Sequence, residues 1–508
     1  MSYLIGLDVG STNLKAILVD AERGAESVFS CPTRTHYPRP GWAEYDANEI
    51  WADLAGLLRQ AVRTVPDPSA IRGIAVASMG EAGLLADRHG QPLTPIIAWF
   101  DGRTEAQSRW WEENVGPEEV HAITGHPIHP SFGINKLIWL REHAPGAFSE
   151  AAHWFSVEDF VLYRLSGEAA TDYSAASRTM AFDIRAHHWS GKLLDRAQIP
   201  LRLMSPAFPG GTAIGRVTEQ AAEETGLAPG VPVSTGGHDQ ICASFAVGAF
   251  EPGCLLDSTG TSESQVLTVA EALPSPELMR ANLEQECHVV AGRYAVLAHF
   301  PVAGFALEWL NRLLEHGQTM PDYGLAEAAG VAPGAEGLFF LPHLRGSGSP
   351  SFDPLCRGAF IGLSPAHGRG HLLRAAVEGV CYEIRANILT LERIAGCDLQ
   401  KIYAAGKVTR SDLWLRIKAD VTGKSLHVPR LAETAGLGAA LLAGLGAGLF
   451  ATPQDAVESL HADWTVVEPQ PEQAAFYQAQ YSAVYSKIYP ALRDLFWARQ
   501  PCPEPGLL

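Results

Sequence analysis

No Cys-x-x-Cys pair occurs in this chain. Its eight cysteines, from Cys31 to Cys502, are scattered through 508 residues. That spacing suits reduced thiols and excludes both a disulfide framework and a cysteine metal site. Positive charge is also in short supply. A formal net charge of -18 argues against nucleic acid as a partner, because phosphate backbones are held by basic surface. It leaves room for a small anionic ligand, which backbone N–H groups and a metal ion bind locally. Long hydrophobic runs are missing as well. The most apolar window, Gly436 to Phe450, is rich in Gly and Ala and falls short of the ~20 residues a bilayer requires. No basic leader precedes the strand-like Tyr3-Leu4-Ile5-Gly6-Leu7, so a cytoplasmic protein without a membrane partner is expected. Finally, there is no Gly-x-x-x-x-Gly-Lys-Ser/Thr run ahead of a helix, which excludes a Walker-type phosphate loop.

What is present is the composition of a packed globular protein, 47% apolar and 19% charged, and too long for one ordinary core. Two domains or more are expected. Tyr3 to Asp8 reads as a buried strand ending in a carboxylate. Val9-Gly10-Ser11-Thr12-Asn13 reads as a glycine-hydroxyl turn, and Leu14 to Asp20 as a second strand. The layout returns about 250 residues later: Leu255-Leu256-Asp257 leads into Ser258-Thr259-Gly260-Thr261-Ser262 and then Gln265 to Val269. A hairpin whose turn is glycine and hydroxyls can wrap phosphate oxygens. A matched pair suggests a duplicated architecture with a ligand held between the copies. The boundary falls where Pro252 and Gly253 interrupt the pattern, giving expected domains 1–248 and 249–508.

Between the hairpins, Val231 to Ser234 reads as the end of a strand and Gly236-Gly237 as a tight turn. His238-Asp239-Gln240 then opens an apolar helix. A carboxylate there sits at the positive end of the helix dipole and can accept a proton from an incoming hydroxyl. Strand Ile71 to Ser78 runs into Met79-Gly80-Glu81, and the apolar run Pro95 to Phe100 ends in Asp101-Gly102-Arg103. Ends of strands in α/β sheets are where ligands bind. Glu81, Asp101 and Arg103 are therefore candidates to hold polyol hydroxyls, with Trp99 or Phe100 over the apolar face. A surface ion pair between Asp101 and Arg103 is the plainer alternative. Tandem Trp110-Trp111 reads as helix packing, and His126 and His129 as loop residues. In the second half, Pro301 to Leu310 begins a helix at Gly304, and Leu372 to Arg393 is a helix whose apolar stripe is core. Ile402 to Gly406 is a strand and turn, Gly436 to Gly448 is a helix able to lie against another backbone or a flat base, and a final docking helix ends at Pro490.

Together these residues resemble the FGGY carbohydrate kinases, which include glycerol kinase and xylulokinase. The resemblance implies an α/β fold of two duplicated ribonuclease H-like (actin-like ATPase) domains with a cleft between them. Asp8-Val-Gly10-Ser11-Thr12 is similar to that family's first phosphate loop, Gly237-His-Asp239-Gln240 to its catalytic-aspartate motif, and Ser258-Thr-Gly260-Thr261 to its second phosphate loop. Gly358 to Leu363 with His371 to Glu378 follows its C-terminal signature. Gly304 and Glu308 match a helix start beside the nucleotide, and Gly406 and Arg410 flank adenine and ribose. The implied reaction moves the γ-phosphoryl group of ATP to a hydroxyl of a small sugar or polyol. Asp239 is then the catalytic base, and Asp8 with Asp239 holds Mg²⁺. Met79, Glu81, Trp99, Asp101, Asp239 and Gln240 form the acceptor side. Three departures stand out: Ala405-Gly406-Lys407 for a double glycine, Arg345-Gly346-Ser347-Gly348 for a Gly-Glu-Arg loop, and Ser78-Met79-Gly80-Glu81 at the acceptor strand. Gly80 replaces the arginine of glycerol kinases, which speaks against a plain glycerol kinase. A ketose acceptor is expected first and an alditol second. The rival from another class is an actin- or Hsp70-like nucleotide-binding protein without sugar-kinase activity. The resemblance is compatible with a homodimer.

Overall fold

A computed structural model describes residues 2–24, 26–273, 276–314 and 325–498. Two large sheets organise it. In the first, β1 (Tyr3–Val9), β2 (Asn13–Asp20), β3 (Glu26–Pro32), β4 (Ile71–Ser78), β5 (Ala213–Arg216) and β6 (Pro232–His238) lie in the order β5-β6-β4-β1-β2-β3. β1 pairs antiparallel with β2 and parallel with β4. Its residues from Leu4 on are buried, as expected for a strand covered on both faces. On one face lies α1 (Ala47–Thr64), started by Asp46, whose carboxylate accepts from Asn48 N at 2.8 Å and Glu49 N at 3.1 Å. Ile50, Trp51, Leu54 and Leu58 of α1 close the core at helical spacing. α2 (Val157–Ser166) packs on the same side.

The second sheet repeats the device. β7 (Cys254–Thr259) pairs antiparallel with β8 (Glu263–Val269) and parallel with β11 (Lys401–Ala405). With β9 (Glu284–Cys287), β10 (Tyr294–Phe300), β12 (Leu426–Pro429) and β13 (Trp464–Val467) the order is β9-β10-β8-β7-β11-β12-β13. The two hairpins read as copies in the sequence therefore hold equivalent places in two sheets.

Two helices join the halves. α3 (Asp239–Ala246) follows β6, and α7 (Thr434–Gly446), although late in the chain, packs against α3 and against β1, β4 and β6 of the first sheet. Close approach explains its composition. A Cβ on Gly438 would collide with the Cys242 carbonyl, and one on Gly6 with the Gly436 carbonyl. Of the two uses expected for this Gly/Ala helix, lying against another backbone is the one observed. Further helices that bear on the cleft and the second core are α4 (Gly304–Leu314), α5 (Arg369–Ala395), α6 (Asp412–Thr422), α8 (Pro471–Gln480) and α9 (Ser486–Ala498). The stripe Leu373, Val377, Val380, Ile384, Ile388 and Leu391 of α5 is buried in the second core, as expected. Arg374 and Glu378, in the stretch resembling the C-terminal signature, are buried together at 2.8 Å, and Tyr477 of α8 donates to Glu378 at 2.6 Å.

Several expectations change. Gly236-Gly237 is not a turn: β6 runs on to His238 through a register shift between Ser234 and Gly237. Gly236 has no room for a Cβ beside the Val76 carbonyl, and Gly237 has φ 154°, so the glycines bulge the strand against β4 instead of reversing it. The final helix does not end at Pro490. A π-turn over Tyr481–Tyr485 resets the register, and α9 carries Pro490 inside it. Tyr489 and Trp497, donating to Asp353 at 2.9 and 3.0 Å, pin the continuation. The apolar run Pro95 to Phe100 holds only two strand residues, Ile96–Ile97. Trp110 and Trp111 pack edge to face at 5.1 Å. Seven cysteines lie among the described residues, all unpaired; Cys502 lies outside them. Among the described residues no helix is long and apolar enough to cross a membrane.

Candidate active site

The turns of the two hairpins face one cleft of about 370 Å³, whose lining includes Asp8, Gly10, Ser11, Thr12 and Lys15 from the first and Ser258, Gly260, Ser262 and Ser264 from the second, with Asp239 and Gln240 beside them. The first turn is closed by Gly10 N donating to Asn13 O at 3.1 Å. Lys15, the next inward-facing residue of β2, reaches Asp8 at 3.0 Å and Glu433, just ahead of α7, at 2.5 Å. Burial pushes the Asp8 carboxyl up to about 6; Lys15 pulls against this, and the charge of Asp239 adds to it. The second turn is closed by Gly260 N donating to Ser262 O at 2.9 Å. Beneath it the fully buried Lys418 pairs with Asp257 and donates to Thr259 Oγ1 at 2.6 Å, anchoring the turn from behind.

The nucleotide-side candidates gather around that second turn. Gly304 N donates to Gly260 O at 3.0 Å and Phe305 N to Thr261 O at 3.1 Å, so the start of α4 is bonded to the turn. A Cβ at Gly304 would press on the Gly260 carbonyl; the close approach its glycine permits is to this backbone. Glu308 is one turn further along α4. Gly406, at φ 90°, backs onto the Thr259 carbonyl, and Arg410 ends the short helical turn that follows.

Asp239 is the first residue of α3 and lines the cleft. Enclosure raises its carboxyl above the usual range, and the neighbouring His238 draws it back. His238 Nε2 is 3.3 Å from Asp239 Oδ1, and its Nδ1 is 2.8 Å from Glu286 Oε1 of β9. Burial lowers this imidazole, but Glu286 and Asp239 together outweigh it and hold the ring at about 9, so it is a cation at neutral pH. Gln240 faces the second half, where Ser264 Oγ donates to its Oε1 at 2.6 Å.

Met79 is buried, and Glu81 sits in the left-handed region at φ 58°. The Glu81 carboxylate is gripped by Arg178, whose Nε donates at 2.9 Å. Arg178 also meets Glu284 and, at 3.2 Å, Glu286. Asp101 is buried with its oxygens occupied: Arg103 binds it through Nε and Nη2 at 2.8 Å each, and Ala43 N donates at 2.6 Å. The expected ion pair thus exists, although buried, and Arg103 lies 3.9 Å over the Trp42 ring. Trp99 is 43% exposed, edge to face with Phe100. Lys136 is fully buried with its Nζ donating to Ser131 O, and burial lowers it to about 8 although the charges of Glu81 and Asp101 oppose this. His126, read as a loop residue, is fully buried 3.7 Å from Glu284 and lowered to about 3 by burial and by Arg178.

Sequence reasoning passed over Lys15, Lys136, Arg178, His238, Glu284 and Glu286. Lys15 and His238 adjoin motifs already singled out and were within reach. The others are single charges far along the chain from Asp239, with no local signal.

Residues 3–246 match the N-terminal domain of the FGGY family of carbohydrate kinases and residues 255–447 its C-terminal domain. A glycerol kinase of Geobacter sp. (strain M21) is 31% identical over 93% of this chain and 95% of its own. A xylulose kinase of Staphylococcus epidermidis is 28% identical over 97% of both. The crystal structure of xylulose kinase from Rhodospirillum rubrum superposes with TM-score 0.89 at 32% identity, over 97% of this chain and 100% of that one. Relatives of both kinds match at similar identity, so the comparison does not separate their acceptors, and the expectation against a glycerol kinase gains nothing from it. With both domains matched and relatives aligned over nearly its whole length, the chain belongs to the FGGY family of carbohydrate kinases.

Proposed function

We propose that this chain transfers the γ-phosphoryl group of ATP to a hydroxyl of a small sugar in the cytoplasm, with a ketose as the first choice of acceptor. One arrangement supports the reading: the Asp239 carboxyl opens α3 on a cleft walled by two glycine-hydroxyl turns, one from each sheet. Phosphoryl transfer passes through a loose transition state, so the protein's work is positioning and charge stabilisation. Asp239 accepts the proton of the attacking hydroxyl. Gly10, Ser11, Thr12, Gly260 and Thr261 donate to the β- and γ-phosphate oxygens. Gly304, Glu308, Gly406 and Arg410 flank the nucleoside. Met79, Glu81, Trp99 and Gln240 face the acceptor, and Asp101, already held by Arg103, contributes as a fixed charge. An approach of the two walls would exclude water from the reacting phosphate.

The carboxylates fit a magnesium ion. Asp8 and Asp239 offer oxygen ligands, and the charge of Asp239 already raises Asp8, a conflict that a bound cation would relieve. Mg²⁺ takes one or two carboxylates, several waters and substrate phosphates. When bound, the ion neutralises charge on the transferring phosphates.

The second reading is an alditol acceptor, favoured by Glu81 at the acceptor strand and by the relatives named glycerol kinase. Coupled ADP release with Mg-ATP across ketoses, aldoses and alditols decides between them. One acceptor class is expected to raise the rate far above the acceptor-free rate. ADP release indifferent to the whole panel would sink the proposal and favour a nucleotide-binding protein without sugar-kinase activity.

A further inference from the structure

We propose that Glu286 is a positioning residue of the acceptor site: from the edge strand of the second sheet it holds His238 and Arg178 of the first half in place, and through them the carboxylates of Asp239 and Glu81. The inference rests on the reading of Asp239 as the base and deepens it. Each oxygen of Glu286 has its own partner. Oε1 accepts from His238 Nδ1 at 2.8 Å, and Oε2 from Arg178 Nη1 at 3.2 Å. Each partner turns its other side to an acid of the proposed site. His238 Nε2 lies 3.3 Å from Asp239, and Arg178 Nε donates to Glu81 at 2.9 Å.

Geometry fixes both side chains. A Cβ on Gly80 would come 3.0 Å from Arg178 Cγ and 3.3 Å from His238 Cδ2, so the two stack over this glycine with no slack. The strand carrying Glu286 is itself seated on the first half: Gln285 N donates to Gly125 O at 2.8 Å and Cys287 N to Ser177 Oγ at 3.3 Å. Glu286 is fully buried, and a carboxylate is tolerated there only when paired on both oxygens. The arrangement lets the second half of the molecule set the orientation of the acid that meets the acceptor hydroxyl. Arg178 keeps Glu284 and Glu81 as partners without Glu286, so loss of Glu286 falls mainly on His238.

Glu286→Gln keeps the shape and removes the charge. In the full-length chain, with xylulose and glycerol as probes, kcat/KM for the acceptor should fall about tenfold or more, since small misplacements of reacting groups are costly. KM for ATP should stay within about twofold, the split expected of a group acting on the acceptor side alone. His238→Gln should fall similarly, and the double variant should be little worse than either, as for residues acting through one another. Should Glu286→Gln not fold, Glu286→Asp carries the same comparison, with part of the activity restored. Wild-type-like kinetics in Glu286→Gln, equal losses for acceptor and ATP, or additive effects in the double variant would overturn the inference. A wild-type chain that turns over neither probe, nor any acceptor of the wider panel, overturns the kinase reading and this inference with it.

Discussion

Asp239 is placed by two local facts, a strand bulged at Gly236-Gly237 and a helix that starts directly after the strand's last residue, His238. The helix dipole favours its ionised form, while enclosure disfavours it. The neighbouring His238 also draws the carboxyl back toward its ionised form. Asp239→Asn preserves size and removes the basic oxygen. Turnover should drop about 10²-fold or more, with KM for ATP nearly unchanged, in the coupled ADP-release assay using the best acceptor. Near wild-type turnover would count against the assignment. This residue was legible because strand, glycines, acid and helix are contiguous. Arg178 and Glu286 were not, because their meaning comes only from meeting His238 and Glu81 in space.

At the scale of elements, the hairpins β1–β2 and β7–β8 were legible as a pair, since each is an apolar run, a glycine-hydroxyl turn and another apolar run. Their anchoring was not: Lys418 under the second turn comes from α6, over 150 residues later. α5 shows the same limit. Its apolar stripe follows from periodicity, yet its buried polar partners come from elsewhere. Glu383 of α5 lies 3.2 Å from His343 and accepts from Tyr485 at 2.8 Å. Burial lowers the His343 imidazole, but Glu383 and Cys356 outweigh this and raise it from 6.5 to about 10. The folded chain therefore holds this proton more tightly than the unfolded one. The stabilisation is complete below about 6.5 and fades as pH rises toward 10. Thermal unfolding should show wild type more stable than His343→Gln at neutral pH, by about 3 kcal/mol, with the gap closing as pH approaches 10. A gap that stays constant with pH would refute this account.

For the molecule as a whole, the joint between the halves is what the cleft depends on. One apolar cluster takes residues from both sides, among them Ile17, Phe245, Leu256, Val266 and Leu441, and the crossing of α3 and α7 lies within it. Because Gly438 has no space beside the Cys242 carbonyl, Gly438→Ala must push the two helices apart. A loss of about 3 kcal/mol in urea unfolding is expected, along with lower turnover, since the shift moves Asp239 at the start of α3. A variant with wild-type stability would show that the crossing is looser than described.

By itself the sequence determined the α/β class, the two matched turns, the acid that opens α3 and membership of a kinase family, because each is written in a short contiguous run whose spacing has a physical cause. Only the tertiary structure decided that α7 returns to the first sheet, that the Asp101–Arg103 pair is buried with Ala43 N donating to it, and that β9 delivers Glu286 to His238. Those outcomes depend on long-range packing and on which buried charges find partners, and neither follows from local pattern.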